Sequence, residues 1–289
     1  MEGDRDLSKR TSRNDALKRA IGESVARVLA RRVGASVQKP HLGFDAVMRS
    51  VSGRVGVDRQ RLPFYHQVNR FRLRHDRRAA AYGVLRSCRL SGGQRRVALT
   101  FDDGPSPENT RPLLDLLERY EARATFFVVG EQVLGHPLLT REIVDKGHEL
   151  GNHSYSHPDP SLVTATELND DLARAADAIE SVVGRRPELA RPPFGKRAKE
   201  LATARTAWST VVLWSVDSGD SAGLGSARVA KQVNDHVRPG DIVLMHDGGA
   251  RRPVTIEATE VILRTLRSRG YDFVSVSELV SSGDTRQTP

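Results

Sequence analysis

The chain has 289 residues, 45 Lys+Arg against 36 Asp+Glu, and a formal net charge of +9. Its single cysteine, Cys88, excludes an internal disulfide framework and a multi-cysteine zinc site, so any metal must be held by His, Asp or Glu. No run reaches the roughly 18 apolar residues of a membrane helix, and the charged N-terminal 18 residues lack the pattern of a secretory signal, which implies a cytoplasmic protein.

Residues 1–90 carry 21 basic and 8 acidic residues, a net +13, while the rest of the chain is −4. Within them, residues 14–33 have weak helical spacing at Leu17, Ile21, Val25, Val28 and Leu29. Residues 70–78 hold Arg70, Arg72, Arg74, Arg77 and Arg78, interleaved with Phe71 and Leu73. This asymmetry implies a basic extension that contacts an anionic surface such as phospholipid, teichoic-type polymer or nucleic acid. A merely solvated arginine-rich segment would have the same composition. Ser91-Gly92-Gly93 then forms a linker or turn.

From residue 94 the pattern becomes regular. β-rich runs at 96–101, 124–129, 148–151, 189–191, 210–216, 241–245 and 271–276 alternate with helical stretches at 108–120, 138–146, 165–183, 196–207, 226–237 and 256–269. Seven strands alternating with helices predict an α/β domain over 94–280 with a parallel sheet, open or closed into a barrel, followed by a tail at 281–289. In such sheets the chemistry gathers at the carboxyl ends of the strands.

Polar residues collect at those ends. The first strand runs into Asp102-Asp103-Gly104-Pro105 and the third into His153-Ser154-Tyr155-Ser156-His157. The fourth runs into Arg191-Pro192-Pro193-Phe194-Gly195, the fifth into Asp217-Ser218-Gly219-Asp220, and the sixth ends in Leu244-Met245-His246. Each signal alone has a plain reading as a turn, a Pro-rich loop or a structural histidine. Together they supply a two-His, one-carboxylate metal site at Asp103, His153 and His157, with Asp102 beside it to take a proton from water. His246 can give a proton to a leaving group, and Arg191 and one of Asp217 or Asp220 can tune these groups.

These five segments in this order resemble the polysaccharide deacetylase family, carbohydrate esterase family four, over about residues 94–280. The resemblance implies a distorted, incomplete (β/α) barrel. It implies a divalent metal, zinc foremost, on Asp103, His153 and His157, with Asp102 as general base and His246 as general acid. It implies that Arg191 orients Asp102 and Asp217 supports His246, and that the Phe194 backbone N–H and Leu244 face the reacting group. The implied substrate is an N-acetylated amino sugar in chitooligosaccharide, peptidoglycan or a related glycan; the alternatives are O-acetyl ester cleavage on xylan-like polymers and a non-catalytic carbohydrate-binding homologue. A two-His, one-carboxylate iron oxygenase is disfavoured by the second adjacent carboxylate and the alternating α/β pattern. One position departs from the family pattern: Ser221 stands where an aromatic usually follows the fourth segment's second acid. Oligomeric state is not encoded in any of these features.

Overall fold

The computed structural model of the protein describes residues 83–203, 210–249 and 252–282. The helical pattern at 14–33, the arginine run at 70–78 and the end of the tail lie outside them.

Among the described residues, nine short strands form one parallel sheet: β1 Val84–Leu85, β2 Arg96–Asp102, β3 Ala124–Val128, β4 Glu149–Asn152, β5 Leu189–Ala190, β6 Thr210–Val212, β7 Val216–Asp217, β8 Ile242–His246 and β9 Asp272–Phe273. Their order is β1-β6-β5-β4-β3-β2-β8-β7, with β9 paired to β2 at Arg96 and Val97. The order forces curvature. β6 and β7 lie six strand positions apart, roughly 29 Å in a flat sheet at the usual spacing. Yet only residues 213–215 join them, a reach of at most about 14 Å. The sheet therefore curls into an incomplete barrel.

The segment expected as one strand over 210–216 is thus two strands on opposite flanks of the opening, broken at Leu213-Trp214-Ser215. No glycine or proline marks the break. It is held by tertiary bonds: Arg191 donates from Nε to Val212 O (3.3 Å) and from Nη2 to Leu213 O (3.1 Å), satisfying carbonyls that a continuous ladder would have used.

Residues 84–88, assigned by composition to the basic extension, belong to the barrel. Val84 and Leu85 pair with Val211 and Val212, and Leu213 N–H donates to Leu85 O at 2.7 Å. Ser87 bridges Asp241, and Cys88 N–H donates to Gly240 O at 2.8 Å. The segment closes the gap between β6 and β8.

Eight helices surround the sheet among the described residues: α1 Pro107–Arg119, α2 Gly130–Gly135, α3 Pro137–Asp145, α4 Ala165–Val183, α5 Ala198–Thr203, α6 Ser226–His236, α7 Pro253–Ser268 and α8 Val276–Ser282. α4 shows how local sequence sets an element. Thr164 and Glu167 form a reciprocal capping box, Leu168, Leu172, Ala175, Ile179 and Val182 recur at helical spacing, and Gly184 ends it in the left-handed region at φ 75°. None of the described helices is long and apolar enough to cross a membrane.

Strand alternation divides the core. On β2, Val97, Leu99 and Phe101 pack with Leu113, Leu114 and Leu117 of α1 and Ile262, Leu263 and Leu266 of α7. Ala98 joins a second cluster with Phe127, Leu213, Trp214 and Leu244. The period of two puts Thr100 and Asp102 on the same side as Ala98, and Ile242, Leu244 and His246 alternate likewise on β8, in register with Ala98, Thr100 and Asp102.

Candidate active site

Asp102 ends β2 directly across from His246 at the end of β8. The turn that follows is tightly packed. Asp102 O accepts from the N–H groups of Asp247 (3.0 Å) and Gly248 (3.2 Å), and Gly104 O accepts from Val129 N–H (2.9 Å). A Cβ on Gly104 would lie 2.3 Å from the Asp247 carboxylate, and one on Gly248 would lie 1.9 Å from Asp103 O, so both positions require glycine.

Asp103, His153 and His157 converge. Asp103 Oδ1 lies 3.4 Å from His153 Nε2 and 3.2 Å from His157 Nε2, and one ligand atom from each residue falls within 4.8 Å of the others. His153 Nδ1 lies 2.7 Å from Arg191 O. A carbonyl can only accept, so Nδ1 carries a proton, which leaves Nε2, on the Asp103 side, as the nitrogen available to a metal. Burial would raise the Asp103 carboxyl, but hydrogen bonds to His153 and His157 hold it well below the usual range, so it is ionised. Two imidazole nitrogens and one carboxylate oxygen at this spacing fit a divalent metal.

Four of the six non-glycine residues with positive φ among the described residues lie here: Asp103 (76°), Ser154 (70°), His157 (54°) and Phe194 (58°). Each such conformation costs on the order of 1 kcal/mol or more and persists only where surrounding contacts impose it.

Arg191, 0% exposed, spans the barrel interior. Its Nη1 donates to Asp102 Oδ1 (2.6 Å) and to Thr100 Oγ1 (2.8 Å), and the guanidinium lies 4.0 Å from the Phe127 ring centroid. With the bonds to Val212 O and Leu213 O, four of its five N–H groups are used. Asp102 Oδ2 is left on the side of His153 Nε2, 3.6 Å away.

On the other flank, His246 Nδ1 donates to Asp220 Oδ1 at 2.8 Å, and His246 N–H donates to Asp220 Oδ2 at 2.9 Å. Thr255 Oγ1 donates to the same Oδ2 at 2.8 Å. Burial alone would lower the His246 pKa; the Asp220 carboxylate, with Asp103 and Asp102 beyond it, instead pushes it up to about 9. The expectation that Asp217 supports His246 is corrected: Asp220 occupies that place. Asp217 ends β7, and its carboxylate turns back to accept Gly219 N–H at 2.9 Å. The 3-10 turn Asp220–Ala222 carries Asp220 to the imidazole.

Phe194 lies with its ring 4.9 Å from His157 and 36% exposed, at the rim. Leu244 is buried in β8, in register with Thr100 and Asp217. Ser221 sits half-buried in the 3-10 turn beside Asp220. Sequence reasoning passed over Thr100, Thr255 and Asp247. Thr100 was legible, since it lies two residues before Asp102 on one strand. Thr255 and Asp247 come together with the site only through the fold.

The polysaccharide deacetylase profile matches residues 90–210. The chain is 39% identical over 198 residues to a peptidoglycan-N-acetylglucosamine deacetylase of Bacillus cereus, covering 66% of this chain and 91% of that one. It is 36% identical over 211 residues to a chitooligosaccharide deacetylase of Bradyrhizobium, covering 68% and 96%. The solved peptidoglycan deacetylase PdaC of Bacillus subtilis superposes with a TM-score of 0.62 at 35% identity, covering 66% of this chain and 92% of the other.

Proposed function

The chain belongs to the polysaccharide deacetylase family, and from that membership we propose that it is a zinc-dependent hydrolase removing N-acetyl groups from N-acetylglucosamine-containing glycans. The observation that carries this reading is the convergence of Asp103, His153 and His157 between two opposed proton-handling pairs, Asp102–Arg191 and His246–Asp220. The names of the two relatives, one acting on peptidoglycan and one on chitooligosaccharide, support the substrate class.

Asp103, His153 and His157 would hold a zinc ion, which would supply Lewis acidity to the acetyl carbonyl and to water. The protein's own groups do the rest. Asp102, oriented by Arg191, takes a proton from the attacking water. The backbone N–H of Phe194 is assigned to the oxyanion. His246 holds its Nδ1 proton against Asp220, so Nε2 is the atom that protonates the departing nitrogen. Water and the amide are consumed; acetate and the free amine leave.

Ser221 offers no aromatic face to a sugar ring. An aromatic contact of that kind contributes on the order of 1–2 kcal/mol, so extended chains bind roughly 10-fold more weakly than with an aromatic there. Acetate release across chitooligosaccharides of increasing length, peptidoglycan, acetylxylan and small N-acetylglucosamine glycosides tests the assignment. The expected result is release from N-acetyl substrates, with little gain in length beyond short oligomers. Preferential release from acetylxylan would favour the ester reading.

A further inference from the structure

The turn 154–157, which links the two histidines, has every backbone N–H accounted for. Ser154 N–H donates to Asn152 Oδ1 (2.9 Å), and His157 N–H donates to Ser154 Oγ (3.1 Å). The two between them leave the turn altogether. Tyr155 N–H donates to Asp171 Oδ2 at 3.0 Å, and Ser156 N–H lies 3.0 Å from both oxygens of the same carboxylate. Ser156 Oγ adds a third donor at 2.9 Å from Asp171 Oδ1. From the opposite side, Gly130 and Glu131 of α2 donate their N–H groups to Ser154 O (3.0 Å) and Tyr155 O (3.1 Å).

Asp171 lies on α4, and so does Arg174, one helical turn on, whose guanidinium stacks 3.6 Å from the Tyr155 ring centroid. Asn152, at the start of the turn, donates from Nδ2 to Leu172 O on the same helix at 2.8 Å. One long, capped helix therefore grips the turn and its entry at three points, Asp171, Leu172 and Arg174. The grip matters because Ser154 and His157 are both left-handed, at φ 70° and 54°. Without outside restraint these residues would relax towards negative φ, and relaxation at His157 swings its imidazole away from Asp103.

We propose that Asp171 is a positioning residue of the metal site: by collecting three donors from the turn 154–157, its carboxylate holds His157 within reach of the ion shared with Asp103 and His153. The proposal rests on the assignment of those three residues as ligands. Asp171 is not a ligand itself, and it acts only through the shape of the turn.

The test is a zinc titration of the metal-free full-length protein by competition with a chromophoric chelator, paired with the visible spectrum of the cobalt-loaded form. Wild type, Asp171→Ala, Asp171→Asn and the ligand deletion His157→Ala are compared. The expected zinc affinity of Asp171→Ala is 10- to 100-fold below wild type, the range typical of groups that orient metal ligands. Asp171→Asn, which keeps an acceptor for the backbone N–H groups, falls between them. The cobalt bands of Asp171→Ala shift as His157 moves, a change that loss of helix stability alone does not produce. If Asp171→Ala fails to fold, Asp171→Asn and Ser156→Ala carry the comparison. Wild-type affinity and an unshifted cobalt spectrum in the folded Asp171 variants overturn the positioning role while leaving the ligand assignment standing. A His157→Ala protein that binds zinc as tightly as wild type overturns the ligand assignment, and the positioning role falls with it.

Discussion

Arg191 Nη1 lies 2.6 Å from Asp102 Oδ1, and both side chains are buried. The contact ties the proposed base to the architecture, because the same guanidinium also bonds the carbonyls of Val212 and Leu213 at the break that lets the barrel turn. Removing one member of a buried pair leaves an uncompensated charge, at a cost of about 3–5 kcal/mol. Arg191→Met is therefore expected to lower both thermal stability and kcat. Arg191→Lys keeps the charge but not the fork, and is expected to recover stability more than kcat. Denaturant unfolding and steady-state acetate release on the same preparations check this; a variant with lowered stability and unchanged kcat would detach Arg191 from Asp102's role.

The His246–Asp220 pair makes a second expectation. Asp220→Asn removes the largest charge raising the imidazole, so the His246 pKa in the metal-free protein should fall from about 9. The same variant should cut kcat by roughly 100-fold or more, the usual contribution of a positioned acid. Asp217→Asn should leave the His246 titration in place. Proton NMR of the imidazole follows both, and equal behaviour of the two variants would contradict the assignment of Asp220.

Stability should depend on His148. This imidazole is buried, accepts Ala124 N–H at Nδ1 (3.2 Å), and is pushed down by burial to about 4. The unfolded chain takes up its proton near pH 6.5, so the folded state loses stability as pH falls from about 6.5 to 4. The full effect is about 3 kcal/mol from the linkage of one site. His148→Asn retains an acceptor but does not titrate. The stability difference between wild type and variant should shrink by that amount between pH 7 and pH 4, and a pH-independent difference would contradict it.

Truncation separates the extension from the barrel. A protein starting at residue 83 keeps Val84, Leu85 and the bonds from Leu213 and Cys88; one starting at residue 91 loses them. Losing buried Val84 and its neighbours costs ~3 kcal/mol, or a fall of about 5–10 °C in Tm for a domain of this size. Equal melting points would show that the segment adds nothing to the barrel.

The alternation of strands and helices was legible from residue 96 onwards because each element carries its own period. Residues 165–183, with a capping box and a terminal glycine, were bounded correctly by local chemistry alone. What sequence could not give were features made by distant partners. Val84–Leu85 is too short to show a period and sits in a basic stretch, so composition assigned it to the wrong region. The break at residues 213–215 carries no glycine or proline; Arg191 holds it from 22 positions away. Asp217 and Asp220 look alike in sequence, and only the 3-10 turn after β7 decides which reaches His246. The candidate metal ligands were legible because they follow strand ends, Asp103 directly after β2 and the His153–His157 pair after β4; Asp171 was not, since it lies on a helix face among other acids.

The most direct measurement is acetate release from a short N-acetylglucosamine oligomer, followed as zinc is added back to metal-free protein. Activity is predicted to rise from none to a plateau at one zinc per chain, with Asp102→Asn binding one zinc and releasing no acetate, and His153→Ala binding neither tightly nor productively. Full acetate release by the metal-free protein, or an active Asp102→Asn, would contradict the account.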